Sequence, residues 1–337
     1  METTYNATAT DFAQQAQALI CLDAFDNICA KAKGQFKIVP LKGIDLMRFL
    51  YSDTLDRELK DIDLLVIPAE RAMEFIELLE ADGYRPEFSF ALDKTALDKK
   101  RKVSMLSPVK RLPNVDVHLA LVTKKFFSHT INSFNQDALA RIKAVDDVVC
   151  ILDDIDRWLY LASHLTFHFL NGDKWYRDLI LLMERFDDED MATLIKRTKQ
   201  YNFERVVSAV ISQIRLINPA LANRIDIAQL LSDKSDKRFL RYINFMTAHP
   251  KRLGHGLRLG RYYWEFIFIS DKRQRRHTIS SLMCPSLGNM QNIYRCHAPL
   301  AILLYLPNML INALGLSLFS AHYLLFSNSH RHADNAK

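Results

Sequence analysis

The sequence predicts an α+β protein in which a small mixed β-sheet core is followed by an all-helical C-terminal domain. Between residues 34 and 125, short apolar runs of strand length alternate with amphipathic helical segments. From about residue 145 onward, apolar residues recur at helical spacing only. Because 49% of the 337 residues are hydrophobic, the chain can bury a substantial core.

The first 33 residues are predicted to form a helix that packs on the core. Residues 10–32 have apolar side chains at helical spacing and contain neither proline nor glycine, and Gly34 ends the pattern. The core domain follows at 34–145. Its strands are read from FKIVPL, DIDLLVIP, KVSML and VDVHLAL, and its helices from IDLMRFLY and AERAMEFIELLEADG. Strands and helices mixed in this way favour a small sheet with helices packed on it.

A helical domain is predicted over residues 146–276. Its helices are read from DDIDRWLYLASHLTFHFL, WYRDLILLMERF, EDMATLIKRTKQ, FERVVSAVISQIRLI and IDIAQLLSD. The domain ends in a basic stretch, 237–276, which has 11 Lys and Arg against two acids and contains interleaved aromatic residues. Such a stretch suits a nucleic-acid groove, an anionic lipid surface or a solvated helix face.

The remaining segment, 277–337, combines an apolar run with a tail. Residues 298–327 contain no Asp, Glu, Lys or Arg and are long enough to cross a bilayer. Pro307, Asn308, Asn312 and His322 interrupt the run, which favours a buried helical hairpin or a peripheral membrane contact over a spanning segment. The sequence leaves these three interpretations open.

Charge and cysteine content limit the classes of partner and the cellular compartment that we expect for this protein. A formal charge of +6 and a pI near 8.9 favour an anionic partner such as a nucleotide, a nucleic acid or a membrane surface. Five scattered cysteines without CxxC spacing predict neither a disulfide framework nor a zinc site. The N-terminus has no basic region followed by an apolar run, so we expect a cytoplasmic protein, with a peripheral membrane location as the variant.

Two acids at the entry of a buried strand are the first chemical signal. Asp61 and Asp63 in DIDLLVIP lie two residues apart, so a strand places both carboxylates on one face. Paired carboxylates suit Mg²⁺, which binds through hard oxygen ligands and substrate phosphates. By itself this DxD pattern is weak, because such pairs are common in solvated loops.

Two neighbouring segments strengthen the signal. Lys42 and Gly43 stand at a strand-to-helix turn, where a glycine lets the backbone approach a ligand and a helix N-terminus can receive phosphate. Asp116 is a third acid on a strand, in NVDVHLAL, although an edge-strand acid facing water is the simpler alternative. Three acids in one sheet would repel one another unless cations neutralise them.

These segments carry a family resemblance. LKG at 41–43, R-x-x-x-D-I-D-L-L-V at 57–66 and V-D-V-H at 115–118 resemble, in this order, the nucleotidyltransferase superfamily related to DNA polymerase β. HLTFHFLNGDKWYRDLILLM, at 164–183, is similar to the helical part of a bacterial family of uncharacterised nucleotidyltransferases within it. The resemblance covers about residues 35–185, and the LKG and RxxxDID segments are its most specific parts.

The resemblance implies a two-metal mechanism with Mg²⁺ and an NTP as substrate. Asp61 and Asp63 would hold metal ions on the nucleotide phosphates, and Asp116 would ligate the second ion and help to activate the acceptor hydroxyl. Lys42, with Gly43 at the turn and Arg57 upstream, would bind the triphosphate. Lys42 and Arg57 are also consistent with plain surface residues, and Arg57 lies in a highly charged loop.

Four further polar residues are candidates for a supporting shell around the site: His118, His164, His168 and Asp178. His164 and His168 stand at i and i+4 of a helix but lack the Glu of HExxH and a third ligand, so polar contacts at a domain interface are the simpler interpretation. Asp178 would orient one of these histidines. Arg157 with His164 also fits the R-x(4–6)-H spacing of a helical ribonuclease family, which a short-motif coincidence explains as well.

Three hypotheses about function follow. The first is a Mg²⁺-dependent enzyme that moves a nucleoside monophosphate from an NTP to an acceptor hydroxyl or phosphate on a small molecule, glycan, protein or RNA. The second is a module of the same fold that binds nucleotide or nucleic acid without turnover. The third is an interaction protein that contacts a membrane through 298–327. Retention of all three acids favours the first, because clustered acids in a sheet are costly without cations.

Overall fold

The computed structural model describes residues 9–53, 56–87, 102–122, 130–231, 234–248 and 266–269. Short further pieces lie at 275–276, 279–280, 303–304, 307, 309–315, 317–318 and 320–321. The chain divides into two compact units, Met1–Thr123 with Phe134–Tyr160, and Lys124–Ser133 with Leu161–Lys337. The predicted segment limits at 33, 145 and 276 stay predictions.

The first unit contains the mixed sheet. Its strands are β1 (Lys37–Leu41), β2 (Asp61–Ile67), β3 (Arg85–Pro86), β4 (Lys102–Leu106) and β5 (Asn114–His118), and its first helices are α1 (Ala9–Ala32), α2 (Lys42–Phe49) and α3 (Ala72–Ala81). The strand order is β1-β2-β5-β4-β3, in which only β2 and β5 are parallel. Helix α4 (Thr130–Ala140), a two-stranded ladder of β6 (Lys143–Ala144) and β7 (Cys150–Ile151), and helix α5 (Asp154–Phe167) follow. The α+β prediction is confirmed, whereas α4 and the small ladder were not predicted.

One face of the sheet builds the hydrophobic core. The alternating strand residues Ile62, Leu64 and Val66 of β2 and Val115 and Val117 of β5 are buried in the main cluster. Helices α1 and α3 contribute to the same cluster, whose helical members include Cys21, Phe25, Ile28, Phe75, Ile76 and Leu79. Because side chains alternate between faces along a strand, the residues between these core positions point to the opposite face.

The second unit is helical where it is described. After α5 it contains α6 (Asp173–Arg185), α7 (Asp188–Gln200), α8 (Glu204–Ile217), α9 (Pro219–Ala222), α10 (Ile227–Leu230) and α11 (Lys234–Ala248). Asp187 begins α7 with a reciprocal capping box: its carboxylate accepts from the Asp190 backbone N–H at 2.8 Å. The prediction that helices follow the sheet is therefore confirmed for the residues that the structure describes, whereas the limits of the predicted helical domain stay a prediction.

A buried arginine ties α8 to later residues of the second unit. Arg205 donates to the Asp236 carboxylate from Nε at 2.9 Å and from Nη2 at 2.8 Å, and its Nη1 donates to the Ile267 carbonyl at 2.8 Å. Its guanidinium also lies 5.0 Å from the ring centre of Phe239. These contacts satisfy a charge that burial would otherwise make costly.

Much of the predicted basic stretch, 237–276, and most of the apolar run, 298–327, lie outside the described residues. Lys237 falls in α11, and residues 309–315 are helical. Among the residues that the structure places, no helix is both long and apolar enough to span a membrane.

Candidate functional site

Strand pairing brings the three predicted acids together on the sheet face opposite the core. Asp63 of β2 is the register partner of Asp116 on β5, and Asp61 lies two residues before Asp63 on the same face. One carboxylate oxygen from each of the three residues lies within 4.8 Å of the others. Asp63 and Asp116 are buried, whereas Asp61 is exposed at the strand entry. The three carboxylates therefore form one cluster.

Two lysines approach this cluster, one from the start of α2 and one from the start of β4. Lys42 follows Leu41, the antiparallel partner of Asp63, and its Nζ lies 2.5 Å from Asp63 Oδ1. Its backbone φ of +52° is unusual for a residue with a side chain and turns the chain from β1 into α2. Lys102 begins β4 and its Nζ pairs with Asp116 Oδ2. Two positive charges thus offset part of the charge of three acids.

Hydrogen bonds fix the two buried carboxylates. His118 Nε2 lies 2.8 Å from Asp63 Oδ1 across the β2–β5 pair, so this ring nitrogen carries the proton when the carboxylate is ionised. Ser104 Oγ donates to Asp116 Oδ1 at 2.6 Å from β4. Such bonds orient a carboxylate for a ligand that binds the cluster.

The protonation of the acids follows from these contacts. Burial alone would raise the pKa of Asp63, but the His118 hydrogen bond and the Lys42 ammonium outweigh it and hold the pKa well below its usual range. Desolvation and the negative charge of Asp63 raise the pKa of Asp61. Asp61 has no ion-pair partner among the residues that the structure describes. The cluster therefore carries unbalanced negative charge at Asp61.

The donor set fits a divalent cation. Mg²⁺ prefers hard oxygen ligands and is commonly bound by one or two carboxylates together with substrate phosphates. Asp61, Asp63 and Asp116 each offer an oxygen within 4.8 Å of the other two, and the excess negative charge would attract the ion. The described part of the chain contains no other group of three or more such ligands.

Gly43 lies in the first turn of α2 under two side chains. A Cβ built on it would lie 2.2 Å from Leu59 Cδ1 and 2.9 Å from Arg57 Nη1. Arg57 is buried and its Nη1 donates to the Glu58 carbonyl at 3.4 Å. The glycine is therefore needed for the close approach of these side chains, and a role for Arg57 and Gly43 in phosphate binding stays a prediction.

A buried ion pair that the sequence did not reveal supports the same helix. Asp45 in the first turn of α2 lies 2.8 Å from Arg157 Nε of α5, and both side chains are 2% exposed. Arg157 also pairs with Asp154. Burial raises the pKa of Asp45 to about 6, and the Arg157 guanidinium limits the rise. Arg157 is thus an ion-pair partner within the first unit.

Two of the remaining predicted residues, His164 and His168, contact each other and Trp175 in the second unit. His164 and His168 on α5 have their Nε2 atoms 3.2 Å apart, and the ring of Trp175 on α6 lies 4.1 Å from the His168 ring centre. Asp178 is fully buried on α6. Its predicted hydrogen bond to one of the histidines stays a prediction.

Sequence reasoning missed Lys102, Ser104 and Asp45, and it considered Arg157 only as part of a short nuclease motif and not as the partner of Asp45. In KVSML, Val103 and Met105 belong to the core, so alternation already places Lys102 and Ser104 on the other face. That signal was present in the sequence, but the register that sets these residues opposite VDVH was not. The contact between α2 and α5 had no local signal at all.

Comparison with known proteins agrees with this geometry. A family model described as "Uncharacterised nucleotidyltransferase" matches residues 8–219, which is more than half of the chain. No curated protein and no solved structure gives a match.

Proposed function

The chain belongs to the family of uncharacterised nucleotidyltransferases, and from this membership we propose a Mg²⁺-dependent enzyme that moves a nucleoside monophosphate from an NTP to an acceptor. The observation that carries the proposal is the cluster of Asp61, Asp63 and Asp116, whose ligand oxygens lie within 4.8 Å of one another. This cluster on a sheet face, bordered by two lysines, suits a polyphosphate bound through cations.

Each residue of the cluster would have a distinct task. The acceptor oxygen attacks the α-phosphorus of the NTP, the bond to the bridging oxygen of the β-phosphate breaks, and pyrophosphate leaves. Asp61 and Asp63 would hold the cation-bound triphosphate, and Asp116 would face the acceptor hydroxyl and help to take up its proton. Two divalent cations held there would stabilise charge on the attacking and leaving oxygens.

The start of α2 would contribute to binding. The first backbone N–H groups of a helix have no partner within it, and Leu41 provides no side-chain cap for them. A phosphate near Lys42 and Gly43 would meet these donors and the positive end of the helix dipole. The acceptor class is open among small molecules, glycans, proteins and RNA, because all of them would use the same cation centre.

The test incubates purified protein with Mg²⁺, each labelled NTP and pools of acceptors, and measures nucleotide binding and pyrophosphate release. Asp61→Asn/Asp63→Asn protein should lose at least about a thousandfold in turnover, since charge stabilisation worth about 4 kcal/mol is removed. Glu77→Gln, which removes an exposed carboxylate on α3, is the matched control and should keep full activity.

The outcomes separate the enzyme from a binding module. Wild-type protein that binds NTP but releases no pyrophosphate with any acceptor would support a nucleotide-binding module of the same fold. Wild-type protein that neither binds NTP nor releases pyrophosphate would overturn the enzyme proposal.

We also propose a peripheral contact with anionic lipid through the helical residues 309–315 and 317–318. Leu310, Ile311, Leu314 and Leu318 are between 52% and 70% exposed, and their spacing places them on one side of a helix. The basic stretch 237–276 lies in the same chain unit and would attract anionic headgroups. Such a contact fits a cytoplasmic protein that binds reversibly to a membrane surface.

Flotation with vesicles tests the lipid contact. Full-length protein should float with vesicles that contain phosphatidylglycerol and less with pure phosphatidylcholine, and Leu310→Ser/Leu314→Ser protein should stay in the bottom fraction. Equal flotation of wild type and variant, or no flotation of either, would refute this contact.

A further inference from the structure

The carboxylates of the candidate cation site are engaged by the chain itself. Both oxygens of Asp116 are used by β4: Ser104 Oγ donates to Oδ1 at 2.6 Å, and Lys102 Nζ pairs with Oδ2. Oδ1 of Asp63 accepts hydrogen bonds from both Lys42 Nζ and His118 Nε2. A cation that binds Asp116 therefore competes with an ammonium group that already neutralises it.

Of the two lysines, Lys102 is the one whose ammonium group can most readily leave its carboxylate partner. Its side chain is 39% exposed, whereas that of Lys42 is 12% exposed. It begins β4 at the edge of the acidic face, next to His118 in the strand register. A lysine has a flexible four-carbon stem and three rotatable donors, so its ammonium can reach a new anion by rotating side-chain torsions alone.

We propose that Lys102 is an internal counter-ion that a divalent cation displaces from Asp116 and that then binds a phosphate of the nucleotide. This inference rests on the proposed nucleotidyltransferase function and adds a phosphate-binding residue to it. Without nucleotide, the ammonium lowers the affinity of Asp116 for the cation, because two positive charges compete for one carboxylate. With nucleotide, the phosphate accepts the displaced ammonium.

The consequence is coupling between cation and nucleotide. The cation frees Lys102 for the phosphate, and the phosphate stabilises Lys102 away from Asp116, so each ligand raises the affinity of the other by the same factor. Asp61, which has no ion-pair partner among the described residues, would be the first carboxylate to meet the cation. Before substrate arrives, Lys102 neutralises Asp116, so the excess negative charge of the cluster stays at Asp61.

The decisive measurement is Mn²⁺ binding to nucleotide-free protein, followed by electron paramagnetic resonance of the free ion. Lys102→Met should bind Mn²⁺ about tenfold more tightly than wild type, because a competing charge is gone. Lys102→Arg should stay within about threefold of wild type, since the charge is kept. Lys60→Met is the matched control: Lys60 adjoins Asp61 in sequence but pairs with Glu58, and we expect a change below twofold.

Binding of a fluorescent ATP analogue in the presence of Mg²⁺ tests the second step. Lys102→Met should weaken this binding about tenfold, and Lys102→Arg should restore most of it. Circular dichroism melting curves show whether each variant is folded, and Lys102→Gln provides a second neutral variant.

The possible results are distinguishable. If the Lys102 and Lys60 variants bind Mn²⁺ with equal affinity, the counter-ion proposal is overturned. If Mn²⁺ binding tightens but nucleotide binding is unchanged, the transfer of Lys102 to phosphate is overturned. If wild type releases no pyrophosphate, the proposed function fails, and the Mn²⁺ comparison still decides the counter-ion step because it uses neither nucleotide nor turnover.

Discussion

Gly43 is the position where a single methyl group should disturb the candidate site. A Cβ at this position would lie 2.2 Å from Leu59 Cδ1, far inside van der Waals contact, and 2.9 Å from Arg57 Nη1. Leu59 is only 3% exposed and is itself part of the core cluster. The side chain of Leu59 therefore cannot yield without disturbing its neighbours.

The magnitude follows from two opposing effects of Gly43→Ala. Overpacking a well-filled site costs about 1–3 kcal/mol, while alanine in place of glycine within a helix returns up to about 1 kcal/mol. We expect a net loss of up to about 2 kcal/mol in the free energy of unfolding. The double variant with Leu59→Ala has space for the new methyl group, so it should be about 1–3 kcal/mol more stable than the sum of the single variants predicts.

Urea unfolding monitored by circular dichroism measures all three variants against wild type. Binding of the fluorescent ATP analogue should weaken in Gly43→Ala, because the clash with Leu59 pushes the first turn of α2 away from Asp63. Binding should recover in part in the double variant, because the shortened side chain at position 59 removes that clash. Additivity of the two substitutions within about 0.5 kcal/mol would refute the steric argument.

Three further predictions concern the other polar contacts. The pKa of Asp45 is raised from 3.8 to about 6, so protonation of Asp45 stabilises the folded state, and this stabilisation is lost as the pH rises through 6. Relative to Asp45→Asn, the free energy of unfolding of wild type should therefore increase by up to about 3 kcal/mol when urea titrations at pH 7.5 and pH 4 are compared. A difference between the two proteins that does not change with pH would contradict this. His118→Asn should lower Mn²⁺ affinity by about 10- to 100-fold, because Asp63 loses its orienting hydrogen bond. Unchanged affinity in the electron paramagnetic resonance titration would exclude an orienting role for His118. Arg205→Met should lower the free energy of unfolding by about 3–5 kcal/mol, measured by thermal or urea unfolding, because Asp236 loses its partner. A decrease below about 1 kcal/mol would show that the pair contributes little to stability.

The strands and helices that carry the site could be predicted from the sequence because their patterns are local. The alternation in DIDLLVIP and VDVH places acids on one face and apolar residues on the other, and this pattern needs no knowledge of the partner strand. The helices of the second unit show an equally local 3.6-residue period. The common feature is that each signal lies within about ten residues.

Contacts between distant residues could not be predicted in the same way. Asp45 and Arg157 meet only because α2 and α5 pack together, and nothing within either helix indicates the other. Lys102 and Ser104 reach Asp116 because β4 pairs with β5 in one particular register. Predicting these contacts requires the three-dimensional arrangement, which many weak packing interactions decide together.

The register of β2 against β5 links the stability of the core to the geometry of the candidate site. A slip of one residue would turn Asp116 toward the core and Val115 toward the acidic face, since side chains alternate with a period of two. Val115 and Val117 are fully buried in the core cluster, so such a slip would remove two apolar side chains from the core and bury charge there without a partner. The pairing of Asp63 with Asp116 is therefore held in place by the hydrophobic residues on the other face of the same two strands. This arrangement lets the chain keep three mutually repelling acids together without help from the acids themselves.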